Sequence, residues 1–133
     1  MSDEIRVGIV LVSHSAALAE GAAEVAGQIS GGSVIIAAAG GTDDGGIGTS
    51  IARVRRAVQA AGTSAGVVIL PDLGSSVLTV RALLDEEDFA MPVAVADAPF
   101  VEGAVAATVA AAAGGDVKAV LQAAEEARHA RKL

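Results

Sequence analysis

The sequence predicts an α/β fold: a doubly wound, mainly parallel sheet with helices on both faces. Two observations carry this. Four short apolar runs, Ile5 to Val12, Val34 to Ala38, Gly66 to Leu70 and Val93 to Ala96, lack the polar alternation of a half-solvated strand and read as strands covered on both faces. The stretches between them change to helical spacing, and parallel neighbours need such crossovers, which are right-handed. At 133 residues the chain has the length of one domain, expected to span 1–133.

Taken in order, Ile5 to Val12 is the first strand. From Ser15, a candidate N-cap, the residues Leu18, Ala22, Val25, Ala26 and Ile29 form an apolar helical stripe that Gly31-Gly32 ends. Val34 to Ala38 is the second strand, and the glycine-rich stretch 40–48 is a loop. Thr49 or Ser50 can cap a helix bearing Ile51, Val54 and Val58, stopped by Gly62. After the third strand, Pro71-Asp72-Leu73-Gly74-Ser75-Ser76 leads into a helix with Val77, Val80 and Leu84 turned inward. The fourth strand follows Pro92, an alanine-rich helix runs from about Phe100 to Ala113, and Asp116 caps a last helix carrying Val117, Val120, Leu121 and Ala124.

Composition narrows the function classes. Nine Lys and Arg against 16 Asp and Glu give a formal charge of -7, the wrong sign for a nucleic-acid footprint. The lack of Trp and Tyr removes the stacking surfaces of single-strand binders. With no cysteine there are no thiolate metal sites, thiol catalysis or disulfides. The richest apolar run, Ala104 to Ala113, is too short to span a bilayer, and the acidic Met1-Ser2-Asp3-Glu4 start is unlike a secretory signal. A cytoplasmic protein without membrane contact is expected.

In open parallel sheets the active crevice lies beyond the carboxyl ends of the strands. Ser13-His14-Ser15 follows the first strand, Asp72 the third and Asp97 the fourth. One of only two histidines, His14 stands where a strand hands over to a helix, near the free N–H donors of Ser15, Ala16 and Ala17, a backbone cradle for an anion. A histidine that carries a phosphoryl group suits that setting: one ring nitrogen is the nucleophile and the other donates to a carboxylate that fixes the tautomer. By position alone, a strand-end histidine bonded to a backbone carbonyl is an equal reading. In a 2-1-3-4 strand order Asp72 converges on His14, whereas alone it reads as a turn or cap residue. His129, among Arg128, Arg131 and Lys132, reads as part of a solvated face. So does the Arg53, Arg55, Arg56 cluster, which could also meet an acidic partner.

Other motifs fail. Gly46-Ile47-Gly48 lacks the third glycine of a dinucleotide fingerprint, no nucleotide P-loop is present, and Asp43-Asp44-Gly45 lacks the ligand spacing of an EF-hand. No metal or cofactor is expected.

The segments Val7 to Ser15, Ile47-Gly48-Thr49, Asp72-Leu73-Gly74-Ser75 and Ala98 to Gly103 resemble, in order and over roughly residues 5 to 125, the phosphocarrier subunit of phosphotransferase-dependent dihydroxyacetone kinases. That subunit is itself similar to the IIA domains of mannose-type sugar phosphotransferase systems. The resemblance implies that His14 is the phosphohistidine and Asp72 the carboxylate orienting it, with the backbone of Ser15 and Ala16 cradling the phosphate. It further implies a cytoplasmic homodimeric phosphotransferase subunit. A separate histidine-containing phosphocarrier protein would be the donor, acting in trans because longer relatives append further carrier domains. The acceptor would be ADP on the nucleotide subunit of the kinase. A IIA component of a mannose-type sugar system, with another acceptor, is the alternative, and a binding module without transfer is a third class.

Overall fold

The computed structural model describes residues 5–133, so the acidic start at Met1 to Glu4 lies outside the described residues. The chain forms β1 (Gly8–Ser13), α1 (Ala16–Ser30), β2 (Ile36–Gly40), α2 (Ile51–Ala61), β3 (Val67–Pro71), α3 (Gly74–Glu86), β4 (Val93–Val95), α4 (Phe100–Ala112) and α5 (Val117–Glu126), ending in a 3₁₀ turn at Ala127–His129. All strand pairings are parallel and the order is β2-β1-β3-β4, the doubly wound topology read from the sequence. Among the described residues no helix is long and apolar enough to cross a membrane.

The central pair has no solvated face. In β1, Ile9 and Leu11 point to one side with Val68 and Leu70 of β3, under α1, α4 and α5. Val10, Val12, Val67 and Ile69 point to the other, under α2 and α3. Two buried faces explain why these strands are uninterrupted apolar runs. The first three strands start one to three residues later than their apolar runs begin, Ile5 to Val7 and Val34-Ile35 preceding the ladder, while β4 starts with its run at Val93. Ser15, Ser50 and Asp116 cap α1, α2 and α5 through their side chains. At the end of α1, Gly31 takes φ 64° and donates its N–H to the Gly27 carbonyl, a left-handed closure that glycine makes without strain.

Two expectations about which residues face inward are corrected. In α1 the buried stripe is Ala19, Ala22 and Ala26, while Leu18, Val25 and Ile29 remain nearly half open. Alanine lets the helix axis settle close to the sheet, and the larger side chains stand on the flank of that contact. In α3 the fully buried residues are Ser76, Val80 and Leu83, with Val77 and Leu84 only half-buried.

Close approach also fixes Gly8. A Cβ there would lie 1.9 Å from the backbone oxygen of Ala61, at the end of α2. Neither backbone can yield without moving β1 or α2, so Gly8→Ala is expected to cost at least about 3 kcal/mol. A urea titration checks this, and a midpoint equal to wild type would mean that α2 ends farther from β1 than the structure has it.

Candidate phosphotransfer site

Strand register builds the site. Val12 of β1 pairs with Pro71 of β3, so the next residues, Ser13 and Asp72, end side by side at the carboxyl edge of the two central strands. The Asp72 N–H still donates to the Val12 carbonyl at 2.9 Å, continuing the ladder and fixing the start of its side chain. From there the carboxylate turns to His14. Its Oδ1 lies 3.0 Å from His14 Nδ1, with 7% of the Asp72 side chain and 21% of the imidazole exposed.

Every neighbour of that carboxylate donates to it. Oδ2 receives the Ser13 hydroxyl at 2.8 Å and the His14 N–H at 3.1 Å. Oδ1 receives the Leu73 N–H at 2.7 Å and the buried Ser76 hydroxyl at 2.5 Å, besides the ring. Burial pushes the Asp72 carboxyl up, but the hydrogen bonds from Ser76, the His14 amide, Ser13 and the His14 ring outweigh it and hold the group down at about 2. A permanently charged carboxylate assigns the ring proton to Nδ1 and leaves the Nε2 lone pair outward. Nε2 meets the Ser75 hydroxyl, in the first turn of α3.

The backbone around the histidine is fixed as well. The Gly48 N–H donates to the His14 carbonyl at 2.9 Å, tying the glycine-rich loop to the site. Gly40 passes so close beneath α1 that a Cβ would sit 2.5 Å from the Ser15 carbonyl oxygen. The start of α1 is therefore wedged against the end of β2.

Of the three polar residues expected after strands, His14 and Asp72 meet and Asp97 does not. The Asp97 side chain is 92% exposed and pairs with Arg128 at 3.4 Å. It lines a crevice of about 430 Å³ that also touches Asp72, Leu73, Gly74 and Arg81. His129 lies exposed in the terminal turn. Arg53 is taken by Asp43 at 3.2 Å, and Arg55 by Glu86 and Glu87 at 2.5 and 2.7 Å, which leaves Arg56 as the outward member of that cluster. Among the described residues no three of His, Asp and Glu gather as metal ligands.

The expected cradle at Ser15 and Ala16 changes in one respect. The Ser15 N–H is spent on the Ser13 hydroxyl at 3.0 Å, and its own hydroxyl accepts from Leu18 N–H at 3.2 Å, so Ser15 offers no free amide. Ala16 keeps its N–H at the first position of α1. Sequence reasoning missed Ser75 and Ser76. Their signal was present: three and four residues after Asp72, at the start of a helix, they lie one turn from the carboxylate. α3 has no side-chain cap, because Leu73 occupies the capping position.

The sequence is similar to known phosphotransferase components. Residues 8–121 match the family model EIIA-man, described as the PTS system fructose IIA component. The chain is 40% identical over 131 residues to the phosphoryl donor subunit DhaM of the PEP-dependent dihydroxyacetone kinase of Pantoea ananatis and 37% identical to that of Escherichia coli K12. Each alignment covers 95% of this chain and 28% of the relative, so the chain spans little more than a quarter of those proteins. The subunit DhaM of dihydroxyacetone kinase 2 from Listeria innocua is 33% identical over 118 residues, covering 87% of this chain and 94% of that one. A crystal structure of EF1359, a protein of unknown function, superposes with a TM-score of 0.80 at 30% identity, covering 92% of this chain and 95% of the other. With the matched segment running from the first strand into the last helix, the chain belongs to the family of PTS IIA components.

Proposed function

We propose that this protein is a phosphohistidine carrier, with His14 taking a phosphoryl group from a histidine-containing phosphocarrier protein and passing it to ADP on the nucleotide subunit of a dihydroxyacetone kinase. One observation carries the reading: an imidazole held at Nδ1 by a charged carboxylate, with Nε2 facing outward at a helix start. The names of the curated relatives support the kinase as destination.

In the first transfer the Nε2 lone pair attacks the phosphorus of the donor's phosphohistidine. The new N–P bond forms as the donor's breaks, and the donor imidazole keeps its electrons. The His14 proton stays on Nδ1, and Asp72 offsets the positive charge that the ring acquires. For phosphorus to reach Nε2 the Ser75 hydroxyl must turn aside, and from its place in the first turn of α3 it can then donate to a phosphoryl oxygen. In the second transfer a terminal oxygen of ADP attacks, the N–P bond returns its electrons to Nε2, and ATP leaves. The chain has no P-loop and a charge of -7, so the cations that hold ADP belong to the acceptor subunit. Residues 1–133 act here as a single IIA-like domain, in the cytoplasm and as a homodimer.

A chase separates the acceptors. The protein is phosphorylated, freed of donor and offered free ADP, the ADP-loaded kinase subunit or a mannose-type IIB protein. Fast discharge only to the loaded kinase subunit is expected. Discharge to IIB alone assigns the chain to sugar uptake instead, and no labelling at all refutes the carrier reading.

A further inference from the structure

Of Thr49 and Ser50, it is Ser50 that caps α2, its hydroxyl accepting the Arg53 N–H at 3.3 Å. Thr49 reaches across to α3 instead, where its Oγ1 lies 2.6 Å from Thr79 Oγ1 in a partly buried contact. The direction of this bond follows from the next one. The Thr79 hydroxyl spends its proton on the Ser75 carbonyl at 3.2 Å, so Thr49 is the donor of the pair. Both ends of the link touch His14. Thr49 follows Gly48, whose N–H holds the His14 carbonyl, and Ser75 places its hydroxyl on Nε2. The backbone and the ring of the histidine thus close a circuit of contacts through the glycine-rich loop and the first turn of α3.

We propose that Thr79, held by Thr49, is a positioning residue for phosphoryl transfer, fixing the Ser75 backbone so that the Ser75 hydroxyl stays within reach of Nε2 and of the group bound there. The inference rests on the carrier reading above and deepens it. The start of α3 has no side-chain cap, and on this helix Asp72 anchors the Leu73 amide and the Ser76 hydroxyl. Ser75 is exposed and outside that set, so where its hydroxyl reaches depends on how its own peptide is held. Thr79 supplies the hold one turn further on, and Thr49 ties it to a point outside the helix. Gly48 makes that point possible. At φ 141° it adopts a backbone that a side chain would strain, which lets one residue bind His14 and the next turn to α3. The contact is polar at both ends: valine in either place keeps the shape but breaks the chain of donors that ends on Ser75. In the transfer the Ser75 hydroxyl leaves the ring nitrogen for a phosphoryl oxygen, a side-chain rotation that ends on target only while the backbone stays in place.

A mutant cycle on the full chain tests it. With the phosphorylated histidine-containing phosphocarrier protein as donor, Thr79→Val should lower kcat by about tenfold at unchanged KM, and Thr79→Ser should restore it. Thr49→Val approaches the same bond from the other side, so its loss should match and not add to that of Thr79→Val. In a Ser75→Ala background Thr79→Val should cost nothing further. An equal loss with and without Ser75 would overturn the proposal, since Thr79 would then only support its helix. A second readout needs no phosphoryl group: the ¹⁵N shift of His14 Nε2 in the unphosphorylated protein reports the Ser75 hydrogen bond. Thr79→Val should move it towards the value in Ser75→Ala, and a shift equal to wild type would overturn the link to Ser75. Should wild type accept no phosphoryl group, the carrier reading falls and takes the transfer role of Thr79 with it. The nitrogen shift then still decides whether Thr79 positions Ser75.

Discussion

Replacing His14 with alanine is expected to abolish phosphoryl acceptance outright, with stability changed by no more than about 1 kcal/mol. The two effects separate because the imidazole sits at the surface end of the site. Without it, Asp72 still receives Ser13, Ser76 and two backbone amides, so no buried charge is stranded. No other side chain is expected to replace the nucleophile: the second histidine, His129, lies in the exposed terminal turn, with no carboxylate fixing its ring among the described residues. Labelling from a radioactive donor, followed by acid-labile phosphate analysis, reads the outcome directly. Label retained by His14→Ala would move the acceptor elsewhere in the chain.

Asp72→Asn is expected to slow phosphoryl transfer by about 10² to 10⁴-fold, because an amide supplies no charge and no longer enforces one tautomer. It should also lower stability at neutral pH by about 1–3 kcal/mol, since its NH₂ must face donors wherever it points. This second effect has a pH signature. The native carboxylate binds a proton more weakly than the unfolded one, about 2 against 3.8, so its contribution is complete above about pH 4 and is lost as pH falls through about 2. The stability curves of wild type and variant should therefore converge in acid. Quench-flow transfer rates equal to wild type, with parallel stability curves, would reduce Asp72 to a turn residue.

The fold was legible because each central strand buries two faces and so announces itself as an unbroken β-branched run, as in Gly8–Ser13 and Val67–Pro71. The inner face of α1 was not. Hydrophobic periodicity weights Leu18, Val25 and Ile29 above alanine, yet close helix–sheet contact selects for small volume, and the alanines took the interior. The meeting of His14 and Asp72 was legible from topology, since adjacent parallel strands bring their carboxyl ends together. Ser75 and Ser76 were harder, because two serines opening a helix are ordinary turn chemistry until a partner across 61 or 62 residues of chain is known. The spent amide of Ser15 escaped for the same reason: the hydroxyl that consumes it belongs to Ser13, whose rotamer is set by Asp72.

The donors gathered on Asp72 come from both sides of a seam: Ser13 and His14 at the end of β1, Leu73 and Ser76 at the start of α3. The carboxylate is thus a rivet between two strand–helix units whose strands form the innermost, fully covered pair of the sheet. Fraying at either helix start would strand a charge, so partial opening of the site is penalised and its motions are tied to the slow, cooperative opening of β1 and β3. On the carrier reading proposed above one partner follows another, and the site would keep the reacting nitrogen at a fixed address for each.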